Sequence, residues 1–430
     1  MNQATQAFHG GRLSEAAREF NLPRESFLDF SSNLNVFSPS IRAADWEQWR
    51  SAISRYPEAD AAGIRDRLAT VYRLPAHRIL PTAGSIDALY LAARLFSKSK
   101  AAIIEPAFAD YTRAFESAGC QPVRLALPRE SWYAPASEWA PLLDPFDVVV
   151  LGNPNNPTGA FQPREQMAQL FNHSWARPKT WLVDEAFIEF VAAQEDETLL
   201  PVLQQYPSLI VFRSLTKSWC IPGLRLGFLA TENSAWLGAC RAMQPPWSVN
   251  ALTEEWAATF LTPVRHNQLL SGLAELREIK KRFHRALAEI PGLCVHPSVA
   301  NFLLVELINP SLDASQIYRE LGLRGYLIRV CDSFHAMPKS RFIRLAVRTE
   351  DENTQLTNAL SKLARRDSSI ARIPSEIVPE AHAEIVPEAH PEIVPEGLPE
   401  ISRGRKPPVP SKTGPSPGGA AEPTFRPISA

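Results

Sequence analysis

The sequence predicts an α/β protein, with a mostly parallel sheet in a large domain and a smaller α+β domain after it. Three observations carry this expectation. Short apolar runs rich in β-branched residues recur between residues 101 and 231. The stretches between most of them are long enough for a crossover helix. A long helical pattern at 268–289 then gives way to mixed strand and helix signals.

Each run justifies itself by composition. Ala101–Glu105 reads AAIIE, 147–151 reads DVVVL, Thr180–Asp184 reads TWLVD, 209–212 reads LIVF and Gly227–Thr231 reads GFLAT. Branched side chains with few χ1 choices lose little in an extended backbone and pack well on a pleated surface. The runs are nearly continuous in apolar character rather than alternating, the pattern of strands covered on both faces in parallel sheets. After the helix at 268–289, segments 301–306 and 341–347 read as strands of the smaller domain. The expected division is an amino-terminal arm at 1–45, the large domain at 46–245, the small domain at 246–366 and a tail at 367–430.

Proline marks the last boundary. Thirteen of the 38 prolines follow Asp367, and from Ser375 to Ser402 an octad repeats as SEIVPEAH, AEIVPEAH, PEIVPEGL and PEIS, ahead of a basic Pro/Ser/Gly-rich stretch from Arg403. Proline at this density removes backbone donors and forbids regular helix, and so short a repeat buries no core, so the tail is expected to be disordered. It reads either as a neutral extension or as a tether or ligand, offering segments such as Pro407-Pro408-Val409-Pro410 to an unidentified partner.

Hydrophobic residues make up 45% of the chain and charged residues 21%, enough apolar surface for a large core. With 45 Lys+Arg against 46 Asp+Glu the formal net charge is −1, so no cationic surplus is present to neutralise a nucleic-acid backbone or an anionic membrane. Neither is expected as a partner. No stretch approaches the roughly 18 uncharged apolar residues of a membrane helix, and the first twenty residues carry charges in place of a leader's apolar centre, so the expected location is the cytoplasm. Five cysteines, an odd number without C-x-x-C spacing, fit reduced thiols, and no metal site is expected.

In open α/β sheets ligands collect at the carboxyl ends of the strands. Four such ends carry polar or aromatic residues: Pro106-Ala107-Phe108, Asn153-Pro154-Asn155-Asn156-Pro157-Thr158-Gly159, Asp184-Glu185-Ala186-Phe187 and Arg213-Ser214-Leu215-Thr216-Lys217-Ser218. A lysine flanked by small hydroxyls at a strand end can act as a Schiff-base nucleophile, provided that burial or a nearby cation makes its neutral form accessible. Asp184 could pair with a protonated ring nitrogen. Hydroxyls, backbone amides and an arginine suit a phosphate. That division of labour is the one pyridoxal 5'-phosphate requires. Singly, each feature has a plainer meaning: a solvated lysine, a helix cap, a turn. Their order and spacing carry the chemical reading.

The succession N-P-x-N-P-T-G, D-E-A-F, S-x-T-K and Pro222-Gly223-Leu224-Arg225-Leu226-Gly227 resembles the aspartate-aminotransferase family, fold type I of the pyridoxal-phosphate enzymes. The resemblance implies a seven-stranded large-domain sheet and pyridoxal 5'-phosphate as cofactor. It implies Lys217 as the lysine that bonds the aldehyde, Asp184 at the ring nitrogen, Asn156 at the phenolic oxygen and Phe108 stacked on the ring. Ser214, Thr216, Arg225 and the backbone amides of Gly84, Ser85 and Ile86 would bind the phosphate. Tyr56 would reach the phosphate of the other subunit's cofactor, which implies a homodimer. Two positions depart from the pattern: Phe187 stands where many relatives have tyrosine, and Thr82-Ala83-Gly84-Ser85 differs from the Gly-Asn-Gly form.

Phe8-His9-Gly10-Gly11 and the sequence LDFSSNLN at 28–35 are not needed for the cofactor. They resemble the opening of the threonine-phosphate decarboxylases of anaerobic-type cobalamin biosynthesis, and the likeness runs from about Phe8 to Leu363. It implies that the arm contributes to the substrate site, and that His9, Gly10, Asn33, Asn156, Arg329 and Arg344 contact O-phospho-L-threonine, which would lose carbon dioxide to give 1-amino-2-propanol phosphate. Val36 departs from the family's proline. Independently of that likeness, a phosphorylated amino acid presents two anions, and two fixed arginines suit them because a planar guanidinium binds an oxyanion bidentately. Arg348 is expected to face solvent or to support the site from behind. The alternatives are a histidinol-phosphate aminotransferase, which shares nearly all the cofactor residues, and a catalytically silent binding protein with an interaction tail. Retention of Lys217 and Asp184 argues against the second.

Overall fold

The computed structural model describes residues 9–366 apart from 174, 176, 177 and 193. All of these fall within one compact unit. Phe8 and the expected proline-rich tail lie outside the described residues.

Seven strands form the main sheet: β1 (Ile79–Thr82), β2 (Ala101–Glu105), β3 (Val123–Ala126), β4 (Val148–Gly152), β5 (Thr180–Asp184), β6 (Leu209–Ser214) and β7 (Gly227–Thr231). Their spatial order is β1-β7-β6-β5-β4-β2-β3. The pairs from β3 through to β6 are parallel, and β7 runs antiparallel to both β6 and β1. The sheet is thus mostly parallel, as expected. Three expected runs coincide with strands; 147–151 is displaced by one residue, and 209–212 continues to Ser214. The longer β6 carries Arg213 into the core, where Glu185 and Glu189 pair with its guanidinium at 3.3 and 3.0 Å. A buried charge this well partnered does not end a strand.

Between β1 and β2, helix α1 (Ser85–Leu95) begins two residues before the expected Asp87. Gly84 precedes it at φ 86°, a conformation natural to glycine. A Cβ on Gly227 would lie 2.4 Å from the Ser85 nitrogen, so glycine there lets β7 run against the helix start.

A second sheet contains β8 (Leu293–Val295), β9 (Phe302–Leu307), β10 (Arg329–Val330) and β11 (Phe342–Ala346) in the order β10-β11-β9-β8, antiparallel throughout. Helix α2 (Pro263–Ala288) starts five residues before the expected 268, because Thr262 accepts a hydrogen bond from the Arg265 amide and Pro263 suits the first helical position. Helix α3 (Glu350–Arg366) closes the described chain. The amino-terminal segment is stitched to this sheet region: Leu28–Asp29 pairs in parallel with Tyr326–Leu327, the Ala346 amide donates to the Phe30 carbonyl at 2.8 Å, and the Phe30 ring is fully buried. Burying such a ring contributes roughly 2–3 kcal/mol, which fixes where the neighbouring Asn33 can lie. Among the described residues no helix is long and apolar enough to cross a membrane, and all five cysteines are free.

Candidate active site

A cavity of about 360 Å³ opens at the carboxyl ends of β2, β4, β5 and β6. Phe108 follows β2, Asn156 follows β4, Asp184 ends β5 and Ser214 ends β6, so crossover connections put all four at one rim.

At one end is an anion cradle. Ser85 and Ile86 open α1, and their side chains line the cavity beside Ser214, Thr216 and Arg225. The Ser214 and Thr216 hydroxyls lie 2.7 Å apart. Arg225, at φ 60°, donates to the Pro222 carbonyl at 3.1 Å. A Cβ on Gly84 would lie 2.6 Å from Arg225 Nη2, so a side chain there would displace the guanidinium. Helix amides, two hydroxyls and a guanidinium form a donor set for a phosphate.

Lys217 lies in a short helix immediately after β6. Its backbone is fixed from the amino-terminal segment: the Asn35 amide donates to the Lys217 carbonyl at 3.0 Å, and Asn35 Nδ2 to the Ser218 carbonyl at 2.8 Å. Removal from water, then the charges of Arg344 and Arg225, bring the Lys217 amine down to about 8, against the opposing pull of Asp184. The neutral amine is therefore accessible near physiological pH. Burial raises the Asp184 carboxyl, while hydrogen bonds from the Tyr111 hydroxyl and the Ala186 amide, each at 2.9 Å, lower it. Phe108 stands edge-on to Tyr111 with ring centroids 5.7 Å apart.

Across the cavity, Arg329 and Arg344 are direct partners on β10 and β11. Arg344 donates to Asn156 Oδ1 and, at 3.0 Å, to the Ser31 carbonyl; its guanidinium lies 5.2 Å from the Phe302 ring centroid. Arg329 donates to Ser333 Oγ at 2.5 Å. Burial lowers both guanidiniums, Arg344 to about 10. Asn33 is buried, and its Oδ1 has no hydrogen-bond partner. His9 also lines the cavity, with Nε2 3.2 Å from Asp110 Oδ2. Gly10 packs so closely that a Cβ would sit 2.0 Å from the Ser31 carbonyl oxygen.

The structure therefore brings together every residue that the sequence singled out, except Tyr56; Gly84 sits directly behind the cradle. Tyr56 is 79% exposed, with its ring against Trp247 at 5.2 Å, outside the cavity of its own chain. Arg348 does not face solvent: it donates to the Asp29 carbonyl at 3.1 Å and pairs with Glu352 at 2.7 Å. The sequence reading assigned no role to Asp110, Tyr111, Ser31 or Ser333. Tyr111 meets Asp184 across 73 residues, a contact no local spacing reveals. Away from the cavity, the ligating atoms of Cys294, His296 and Glu306 lie within 4.8 Å of one another, but Arg129 binds both Glu306 oxygens.

The residues present fit pyridoxal 5'-phosphate. The cradle matches a phosphate, Lys217 can be neutral for an aldehyde, Asp184 offers a carboxylate to a cationic ring nitrogen, and Phe108 offers a flat face.

Comparison with known proteins agrees. The family model described as aminotransferase class I and II matches residues 25–360. The threonine-phosphate decarboxylase of Salmonella typhimurium is 33% identical over 355 residues, covering 82% of this chain and 95% of that protein. The histidinol-phosphate aminotransferase of Chromobacterium violaceum is 30% identical over 316 residues, 72% of this chain and 84% of that protein. Among solved structures, the L-threonine-O-3-phosphate decarboxylase from Porphyromonas gingivalis superposes with a TM-score of 0.67 at 26% identity, covering 79% of this chain and 99% of that one.

Proposed function

The chain belongs to the aminotransferase class I and II family and takes pyridoxal 5'-phosphate as its cofactor, and from that premise we propose that it decarboxylates O-phospho-L-threonine to 1-amino-2-propanol phosphate, a step of cobalamin biosynthesis. The observation that carries this reading is the opposed pair Arg329 and Arg344 at the cavity wall. Among the described residues neither has a carboxylate within ion-pair reach. A substrate with a phosphate and a carboxylate engages both at once, whereas the aminotransferase reaction divides its anions, one phosphate on histidinol phosphate and two carboxylates on 2-oxoglutarate.

When bound, the cofactor supplies an electron sink for the pair left at the α-carbon as carbon dioxide departs. Asp184, steadied by the Tyr111 hydroxyl and the Ala186 amide, keeps a proton on the ring nitrogen. Arg344 takes the substrate carboxylate. It is the first among the charges that depress Lys217 and is hydrogen-bonded to Asn156, so it serves the end of the cavity near the lysine. Arg329, whose charge is felt at His9, takes the phosphate together with that imidazole. Fixed guanidiniums orient the carboxylate without reorganising as its charge disperses, and Asn156, the Ser31 carbonyl and Phe302 hold Arg344 in place. Lys217 Nζ then returns a proton to the α-carbon. The assembly we propose is a homodimer, in which the exposed Tyr56 of one protomer reaches the phosphate cradle of its partner.

Incubation with O-phospho-L-threonine tests the proposal: carbon dioxide and 1-amino-2-propanol phosphate should appear without any keto acid. Glutamate formed from histidinol phosphate and 2-oxoglutarate, with no carbon dioxide in the first assay, would replace it by the aminotransferase reading.

A further inference from the structure

His9 enters the cavity wall from a segment with little else to hold it. Gly10 lies against Ser31, and the Gly11 amide donates to Ser31 Oγ at 2.9 Å, but the ring's own polar contact is Asp110 Oδ2, 3.2 Å from Nε2. Phe108 sets the ring from one side at 5.7 Å between centroids. Asp110 is only 5% exposed and opens the helix Asp110–Ser117. Its other oxygen, Oδ1, is paired with Arg113 Nη1 at 3.2 Å. A buried carboxylate beside a cavity that receives a phosphate repels that ligand unless a proton stands between the two.

We propose that Asp110 is a positioning residue for phosphate recognition: it holds the Nε2–H of His9, so that the protonated ring presents its Nδ1–H to the substrate's phosphate. This rests on the phosphorylated-substrate reading above and deepens it. A neutral imidazole with its hydrogen on Nε2 leaves only an acceptor at Nδ1, which a phosphate oxygen cannot use; the cationic ring offers two donors. The surroundings decide which form is available. Burial, with the charges of Arg329 on β10, Arg113 on the same helix as Asp110, and Lys217 after β6, outweighs the opposing pull of Asp110 and leaves the His9 imidazolium below its ordinary value, so the cationic ring is the form that Asp110 and the arriving phosphate stabilise together. Arg113 neutralises the far oxygen of Asp110, so the near one serves His9 without adding a bare negative charge to the cavity.

The test is the titration of His9 in cofactor-loaded enzyme, followed by the NMR resonance that disappears in His9→Asn, in wild type and in Asp110→Asn. Asparagine keeps the shape and an acceptor oxygen but removes the charge. The His9 pKa should fall in the variant, and the KM for O-phospho-L-threonine should rise about tenfold, the size of one charge-assisted hydrogen bond, with kcat at saturation changing less. The fall in kcat/KM toward alkaline pH should begin at lower pH than in wild type, and since the substrate's own phosphate ionises identically in both enzymes, the displacement belongs to the protein. Asp110→Glu should restore part of the KM. An unchanged or raised His9 pKa, or a loss of thermal stability with KM unchanged, would overturn the proposal. If wild-type enzyme released no carbon dioxide from this substrate, the functional reading would fall, while the His9 titration would still decide the role of Asp110.

Discussion

Arg329 and Arg344 face each other as direct partners across two antiparallel strands, 9% and 5% exposed, and among the described residues neither has a carboxylate in ion-pair contact. Like charges placed directly opposite on a sheet destabilise it by up to about 1 kcal/mol. The fold carries this repulsion because an anionic ligand relieves it. Arg329→Met should therefore raise the Tm of the unliganded protein by an amount equivalent to about 1 kcal/mol, while raising the KM for O-phospho-L-threonine about a hundredfold. Calorimetry and steady-state kinetics check the two halves. A fall in Tm would mean that the contacts of Arg329 with Ser333 and Phe334 outweigh the repulsion.

Lys217 gives a pH prediction whose sign follows from its surroundings. Its amine is depressed to about 8, so it is cationic below that pH and a free base above it. The rate at which cofactor-free enzyme recaptures pyridoxal 5'-phosphate should rise through pH 8 and level off. Arg344 is the foremost charge in that depression, so in Arg344→Met the rise should move to higher pH. Lys217→Ala should abolish turnover yet keep a weakly held cofactor, because Ser214, Thr216 and Arg225 remain. Borohydride treatment of wild type should label the peptide that contains Lys217; label elsewhere would move the assignment.

Tyr111 supports Asp184 from below, donating at 2.9 Å from a ring that is 2% exposed. Burial holds the Asp184 carboxyl above the ordinary carboxylate range, and the tyrosine hydroxyl pulls it back down. Tyr111→Phe removes that pull. Asp184 should then take up its proton at a higher pH, moving the acid limb of kcat upward, and kcat should fall about tenfold for the loss of one hydrogen bond to a charged group. An unmoved acid limb would separate Tyr111 from the charge on Asp184.

The strands that position the cavity were legible because their signal is local. TWLVD and GFLAT are β-branched or bulky, apolar and bounded, and the structure uses those residues as β5 and β7. The direction of β7 was not legible, since composition is the same for parallel and antiparallel neighbours. The four-residue strands Ile79–Thr82 and Val123–Ala126 left no clear trace, the first interrupted by Pro81 and the second a half-exposed edge. At the site, Lys217, Asp184 and Asn156 were legible through motif order. Asp110 and Tyr111 carry no signal of their own in the sequence, because their partners, His9 and Asp184, stand about a hundred residues before and 73 after them and meet them only in the folded chain. For Arg348 the sequence leaves both a solvent-facing and a supporting place open: Glu352 stands only four residues on, but the Asp29 carbonyl it meets lies 319 residues away.

Residues 367–430 should be dispensable for the chemistry. Among the described residues, all that line the cavity fall between His9 and Arg344, and helix α3, which ends at Arg366, packs its buried Leu356, Leu360 and Ala364 into the same apolar core as α2. A chain ending at Arg366 therefore retains every described residue of the site and the last described helix that supports it. The removed residues, with their proline-rich octads, have too few apolar side chains per repeat to build a core of their own. The shortened protein should fold, bind pyridoxal 5'-phosphate and keep the kcat of the full chain within about twofold, a difference of less than 0.5 kcal/mol in the barrier. Absorbance of the bound cofactor and turnover of O-phospho-L-threonine measure the two separately. A large fall in kcat with the cofactor band intact would mean that the tail acts at the site, through residues that no motif in the repeats announces.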